Sequence, residues 1–264
     1  FVWFKAASAI MTTDTKPKLA YEECKIGNKL VKISGIAKGS GMIAPNMATM
    51  LAFIFTDANI PSVFLKAILK KVTATTFNSI TVDGDTSTND MVTIFATNKV
   101  KNSKIYNVLD PKLQDFEKAL HRLSLNLAKQ IVVDGEGAKK FITVNIIGAR
   151  SNAMAKNIGF AIANSPLVKT AIAGEDPNWG RIIMAIGKSG ESIIPNKIQI
   201  KIGDYLVVEQ SRTAKDYDEK VVKEYMKWDS INIEVNLNIG SSSHTVYTCD
   251  FTHDYIDINA DYRN

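Results

Sequence analysis

Residues 38–55 read KGSGMIAPNMATMLAFIF. Lys38-Gly39-Ser40-Gly41 is permissive backbone beside a fixed positive charge, and the glycine-to-lysine spacing of a phosphate-binding P-loop is absent. Pro45-Asn46 is a turn signal. The turn delivers Met47-Ala48-Thr49 to the edge of the apolar run Leu51-Ala52-Phe53-Ile54-Phe55, which fits a buried strand or a helix.

The pattern on both sides alternates between the two kinds of element. Upstream, residues 1–11 read as the end of a helix, and Val31-Lys32-Ile33-Ser34 alternates like a strand. Downstream, Asp57 reads as an N-cap, with Pro61 in the first turn and Val63, Leu65, Ile68, Leu69 and Val72 on the apolar side. Asp110-Pro111 starts a second helix, in which Leu113, Phe116, Leu120, Leu123 and Leu127 follow at helical spacing. Phe141 to Ile147 is rich in β-branched residues and reads as a strand, and Ser151 opens another helix. Ile182–Ile186, Ile198–Val208, Ile231–Leu237 and Thr245–Phe251 read as strands, and Asp216–Lys227 as a helix. Long helices among strands predict an α/β (α+β) fold of layered sheets.

Composition sets limits on function. The chain has 264 residues, of which 45% are hydrophobic and 22% charged, an ordinary globular balance that excludes disorder. The net charge of +5 comes from scattered lysines rather than from one basic face or arm, which argues against nucleic acid as a partner. Cys24 and Cys249 stand in neither a disulfide framework nor a zinc spacing, which points to the cytoplasm. No stretch approaches the roughly 18 apolar residues of a membrane span. The chain begins at Phe1 rather than Met, and reads as a fragment or a processed piece.

Polar, glycine-rich chemistry gathers at residues 10–15, 38–50, 77–90, 133–141 and 173–181 and in the tail YIDINADYRN. Thr49 has two readings. It can cap the edge of the apolar run. Alternatively its hydroxyl attacks the Ala48 carbonyl in an N→O acyl shift, after which the new α-amine, with an ordinary pKa of about 7.7–8.0, serves as its base. His121, His244 and His253 sit in no nucleophile-elbow context and read as surface or satisfied polar sites, which favours a base supplied by the nucleophile itself. Asp83, Asp85 and Asp90 lack the glutamate that completes a calcium loop and read as turn and cap residues. Asp176-Pro177-Asn178-Trp179-Gly180 reads as a turn. Glu136, between two glycines, is either solvated or placed to receive a substrate ammonium.

With these residues stated, the chain resembles the ornithine acetyltransferase family, also called bifunctional glutamate N-acetyltransferase. The matching strings, in family order, are AIMTTDT, GIAKGSGMIAPNMATMLAFIFTDA, FNSITVDGDTSTND, DGEGAKKF, LVKTAIAGEDPNWGRI and CDFTHDYIDINADYRN. The resemblance implies the layered fold of self-processing N-terminal-nucleophile acyltransferases, shared with an aminopeptidase type. It implies self-cleavage between Ala48 and Thr49. Residues 1–48 would then end the upstream alpha chain, and residues 49–264 would form the beta chain, headed by the catalytic Thr49. The two pieces would stay one functional unit, with two alpha and two beta chains assembling as a heterotetramer.

The resemblance further implies acetyl transfer from N2-acetylornithine to glutamate through an acetylated Thr49 in arginine biosynthesis. It implies no metal or bound cofactor, and acetyl-CoA as a second acetyl donor in some members. Carried over position by position, Thr12, Lys38, Thr49, Glu136, Asn259 and the terminal Asn264 would line the substrate site. Lys38 would hold a substrate carboxylate or favour the deprotonated amine of Thr49. Glu136 would receive the ammonium, and Asn259 and the tail would close over the substrate. Two departures stand out. The family extends upstream of Phe1, into the stretch that supplies its oxyanion hole, and its tails often end in Ser or Thr rather than Asn. A hydrolase or aminopeptidase on the same scaffold, and an inactive fragment, are the competing readings.

Overall fold

The computed structural model describes residues 2–44, 50–86 and 89–261. The chain forms two compact units, Phe1–Ile80 with Asp85–Asp134, and Thr81–Gly84 with Gly135–Asn264. Ala48, Thr49 and Asn264 lie outside the described residues.

The first unit contains α1 (Val2–Ala9), β1 (Lys18–Ile26), β2 (Lys29–Lys38), β3 (Leu51–Thr56), α2 (Ser62–Thr73), β4 (Met91–Ala96) and α3 (Gln114–Val133). Its sheet has the order β1-β2-β3-β4, antiparallel except for the parallel β3/β4 pair. The apolar run at 51–55 is a strand because its residues serve two faces. Ala52 and Ile54 are buried on one, and Leu51, Phe53 and Phe55 are half-buried on the other. The Ile54 face is covered by α3, so closely that a Cβ on Gly35, the ladder partner of Ile54, would lie 2.9 Å from Leu127 Cδ1. On the opposite face α1 sets Trp3 edge-on against Phe55, with centroids 5.3 Å apart.

The helix expected after Asp110-Pro111 is present. The Asp110 carboxylate accepts the Lys112 N–H at 3.1 Å, Pro111–Leu113 forms a single tight turn, and α3 follows. Leu113, Phe116, Leu120, Leu123 and Leu127 are all buried. Each such side chain contributes about 1.5–3 kcal/mol relative to exposure. The helix expected after Asp57 is present as α2, but Asp57 does not cap it. Its carboxylate instead accepts the Lys32 N–H at 2.8 Å, and Pro61 precedes the first turn without a side-chain cap. Val63 points outward, 66% exposed, while Leu65, Ile68 and Val72 face the core.

The second unit contains β5 (Phe141–Ala149), α4 (Asn152–Ala163), α5 (Pro166–Ala173), α6 (Trp179–Gly187), β6 (Gln199–Ile202), β7 (Tyr205–Glu209), β8 (Arg212–Thr213), α7 (Glu219–Tyr225), β9 (Ser230–Asn236), β10 (Ser242–Cys249) and α8 (His253–Asp261). Six strands pair in the order β10-β5-β9-β6-β7-β8, with β5 and β9 parallel. Ile142, Val144, Ile146, Ile231, Ile233 and Val235 pack with Ile158 and Ile162 of α4 and Ile182 and Ile186 of α6 in one buried cluster. Ser151 caps α4 through Met154 N at 3.1 Å, and Asp218 caps α7 through Lys220 N at 2.9 Å.

Two expected strands are corrected. Ile182–Ile186 is not a strand but the middle of α6. Five apolar residues carry no readable period, and the deciding signal is Asn178, whose side chain caps the helix through Arg181 N at 3.2 Å. Ile182, Ala185 and Ile186 are then buried at positions i, i+3 and i+4. The span 198–208 is two strands, because Gly203 turns the chain at φ +62 with only Asp204 before β7. A Cβ on Gly203 would also lie 2.9 Å from the Tyr225 ring. Among the described residues no helix is long and apolar enough to cross a membrane.

Candidate active site

In the first unit the structure brings Thr12 and Lys38 together. Lys38 ends β2, and its ammonium donates to Thr12 Oγ1 at 3.3 Å. The register places Lys38 opposite Leu51, the first residue of β3 and two beyond Thr49 in sequence. Met50 N–H donates to the Asp90 carboxylate, and Met50 O accepts Met91 N–H at 2.9 Å. Asp90, expected only as a turn residue, therefore anchors the backbone just after position 49.

Behind Thr12 lies a buried ionic network that the sequence did not suggest. Thr12 N–H donates to Asp14 Oδ2 at 3.2 Å, and Gly39 N–H donates to Asp14 Oδ1 at 2.7 Å. Lys18 Nζ bridges Asp14 at 2.5 Å and Asp134 at 2.6 Å, with the Lys18 and Asp14 side chains 1% and 0% exposed. Asp134 also accepts Thr15 N–H at 3.0 Å, and Thr13 and Ser40 hydroxyls meet at 2.6 Å. Burial pushes the Asp14 carboxyl up, but hydrogen bonds from Gly39 and Lys18, the Lys18 charge and the Thr12 N–H outweigh it and hold the group below its ordinary value of 3.8. Nothing local betrays this bridge, since Asp134 is 116 residues from Lys18.

In the second unit Glu136 and Asn259 meet. Glu136 is half-buried on the tight turn between α3 and β5, closed by Ala138 N–H to Gly135 O at 2.9 Å. Asn259 Nδ2, on α8, donates to Glu136 Oε2 and to Tyr255 O, both at 3.0 Å. The turn and the foot of α8 are joined by several contacts. Thr252 Oγ1 donates to Gly137 O at 2.6 Å, Lys139 Nζ pairs with Asp254 at 2.9 Å, and Asp250 Oδ1 accepts the N–H groups of Lys139 and Lys140, both at 2.9 Å. Gly137 has φ +70, and a Cβ there would lie 2.4 Å from Tyr255 N.

Beneath this foot, buried Lys169 donates to Thr248 Oγ1 at 2.8 Å and to the Cys249 carbonyl, with Phe251 4.5 Å above its ammonium. Burial pushes the Lys169 amine down and the Cys249 thiol up. The segment 173–181 is a cap between α5 and α6, as its turn composition suggests, with Asn178 also donating to Asp176 at 3.1 Å and Arg181 to Leu167 O at 2.8 Å. Asp83-Gly84 lies in a turn where Gly84 N–H donates to Thr81 Oγ1 at 3.2 Å. His121 approaches Thr75 at 3.1 Å on the surface. Burial, followed by the Lys156 charge, lowers the pKa of His244. Among the described residues no group of three or more His, Cys, Asp or Glu side chains has metal-holding geometry.

Layered sheets flanked by helices define an α/β protein, with one pair of candidate polar residues in each unit. Comparison with known proteins refines that class. Residues 3–264 match the model of the ArgJ family. The chain is 51% identical over 262 residues to the arginine biosynthesis bifunctional protein ArgJ of Gluconobacter oxydans (strain 621H), covering 99% of this chain and 62% of that protein. It is 50% identical over 265 residues to the protein of the same name from Brucella melitensis biotype 1, covering 99% and 64%. The chain thus spans less than two thirds of the length of these relatives. The crystal structure of the arginine biosynthesis bifunctional protein ArgJ from Bacillus halodurans superposes with a TM-score of 0.78 at 45% identity, over 81% of this chain and 100% of that one. The chain belongs to the ArgJ family.

Proposed function

We propose that the protein carrying this chain is a glutamate N-acetyltransferase that moves acetyl from N2-acetyl-L-ornithine to L-glutamate in arginine biosynthesis. Thr49 Oγ first attacks the Ala48 carbonyl and the amide becomes an ester, which frees the Thr49 amine; water then hydrolyses the ester to the Ala48 carboxylate and the Thr49 hydroxyl. That amine then takes the hydroxyl proton as Thr49 Oγ attacks the acetyl carbonyl, and gives it to departing ornithine. The glutamate amine attacks the acetyl ester next, and Thr49 Oγ leaves with the proton.

The observation that carries this reading is the pairing of residues far apart in sequence within an ArgJ-family chain: Lys38 with Thr12, and Glu136 with Asn259. In the first unit Lys38 supplies a cation suited to a carboxylate, and in the second Glu136 supplies an anion suited to an ammonium. Cleavage after Ala48 leaves two pieces, alpha and beta, that pair as a heterotetramer in the cytoplasm. No metal or bound cofactor takes part.

The test is the intact mass of the purified full-length protein with and without N2-acetylornithine. Two pieces dividing after Ala48, with one acetyl group added to the Thr49 piece, support the proposal. Cleavage with release of free acetate means a hydrolase. A single mass that neither divides nor gains acetyl overturns it.

A further inference from the structure

Lys38 and Asp14 are neighbours through the backbone, yet they are not partners. Asp14 Oδ1 sits on Gly39 N–H, the amide after Lys38, and Asp14 Oδ2 sits on Thr12 N–H, the amide of the residue whose hydroxyl Lys38 touches. Two carboxylates, Asp14 and Asp134, converge on this loop, and both are taken by Lys18. Among the described residues Lys38 forms no ion pair, and its ammonium rests on a neutral hydroxyl. A lysine 1% exposed with two carboxylates at hydrogen-bond distance is held there by both, since breaking a buried pair leaves an uncompensated charge.

We infer that Lys18 is a positioning residue that pairs with both Asp14 and Asp134 and offsets one of their two negative charges, so that Lys38 stays available to a substrate carboxylate. Lys18 touches no substrate. Its part is electrostatic: with it in place, both carboxylates have a cation partner and the Lys38 ammonium stays on Thr12. Without it, Asp14, which sits on the Gly39 and Thr12 amides, draws the Lys38 ammonium from the Thr12 hydroxyl to its own carboxylate. The substrate clause rests on the acetyltransferase reading, whereas the availability of Lys38 does not.

The experiment therefore reads both. In the full-length protein, Lys18→Met, Lys18→Arg and the double variant Asp14→Asn/Lys18→Met are compared with the parent. Competitive acetylation of lysines with acetic anhydride, followed by peptide mass spectrometry, reports Lys38 directly. Labelling of Lys38 is expected to fall in Lys18→Met, to hold in Lys18→Arg, and to recover in the double variant, whose excess negative charge is reduced. Equal labelling of Lys38 in the parent and Lys18→Met overturns the inference, as does a double variant with no recovery, the result of a merely structural role.

Where Lys18→Met fails to fold, Asp14→Asn decides. Lys18 keeps Asp134 there, so Lys38 labelling stays at the parental level or rises, and a fall overturns the inference. In parallel, the KM for glutamate should rise roughly tenfold in Lys18→Met with kcat little changed, the scale of losing one charge-assisted contact. Absence of any transfer by the parent would defeat the acetyltransferase reading alone, since the labelling result stands without it.

Discussion

Asn259 donates its side-chain amide to Glu136 at 3.0 Å, across 123 residues of sequence. The contact exists because the turn holding Glu136 and the foot of α8 share Asp250, Thr252 and Asp254 as anchors. A carboxylate held by one neutral amide keeps accepting capacity for a cation.

Glu136→Gln is therefore expected to raise the KM for glutamate about 10- to 100-fold, since it replaces a charge-assisted hydrogen bond with a neutral one. Steady-state kinetics of acetyl transfer measures this. An unchanged KM would remove Glu136 from ammonium recognition.

Gly137→Ala places a Cβ 2.4 Å from Tyr255 N at φ +70, against backbone rather than a flexible side chain. The cost should be about 1–3 kcal/mol. Thermal unfolding should show a Tm several degrees lower, together with weaker glutamate binding because α8 must shift. A Tm equal to that of the parent would show that the turn relaxes without strain.

Asp14 makes stability depend on acid. Its folded-state pKa is lowered below 3.8, so its stabilisation is complete above that value and is lost as pH falls through the lowered pKa. Asp14→Asn should be destabilised by about 1.5–3 kcal/mol at pH 7, and the difference should close as pH falls through the lowered pKa. Urea unfolding across pH reads this out. A gap that persists undiminished at acid pH would mean that packing, not charge, accounts for it.

Asp90 takes the Met50 N–H and so fixes the entry of β3 next to position 49. Asp90→Ala should slow conversion of the full-length protein into two pieces, with about 1–3 kcal/mol of stability lost from the unsatisfied amide. The time course of cleavage by gel or mass measures it. Cleavage at the parental rate would detach Asp90 from that step.

Much of the architecture was open to direct reading. The α3 helix declares itself because Leu113, Phe116, Leu120, Leu123 and Leu127 repeat along one face for several turns after a capping Asp110. The short segments were another matter. The apolar run 182–186 has too few residues to show a period, and the cap at Asn178 makes it a helix. Strand β1, carrying Tyr21-Glu22-Glu23-Cys24, escaped notice because most of its residues are half-buried or exposed, and its pairing with β2 supplies what its composition does not.

The amino-acid order alone settled the family, the layered α/β class, and the identities of Thr12, Lys38, Glu136 and Asn259 as site candidates, because these reside in contiguous strings. Which residue faces which was left to the tertiary structure. Lys38 meets Thr12 across 26 residues, Glu136 meets Asn259, and Lys18 joins Asp14 to Asp134. The reason is physical: a local pattern encodes the period and the ends of an element, whereas hydrogen bonds and ion pairs between distant segments depend on how sheets and helices pack. Burial then sets the strength of those charges, and burial belongs to the folded chain.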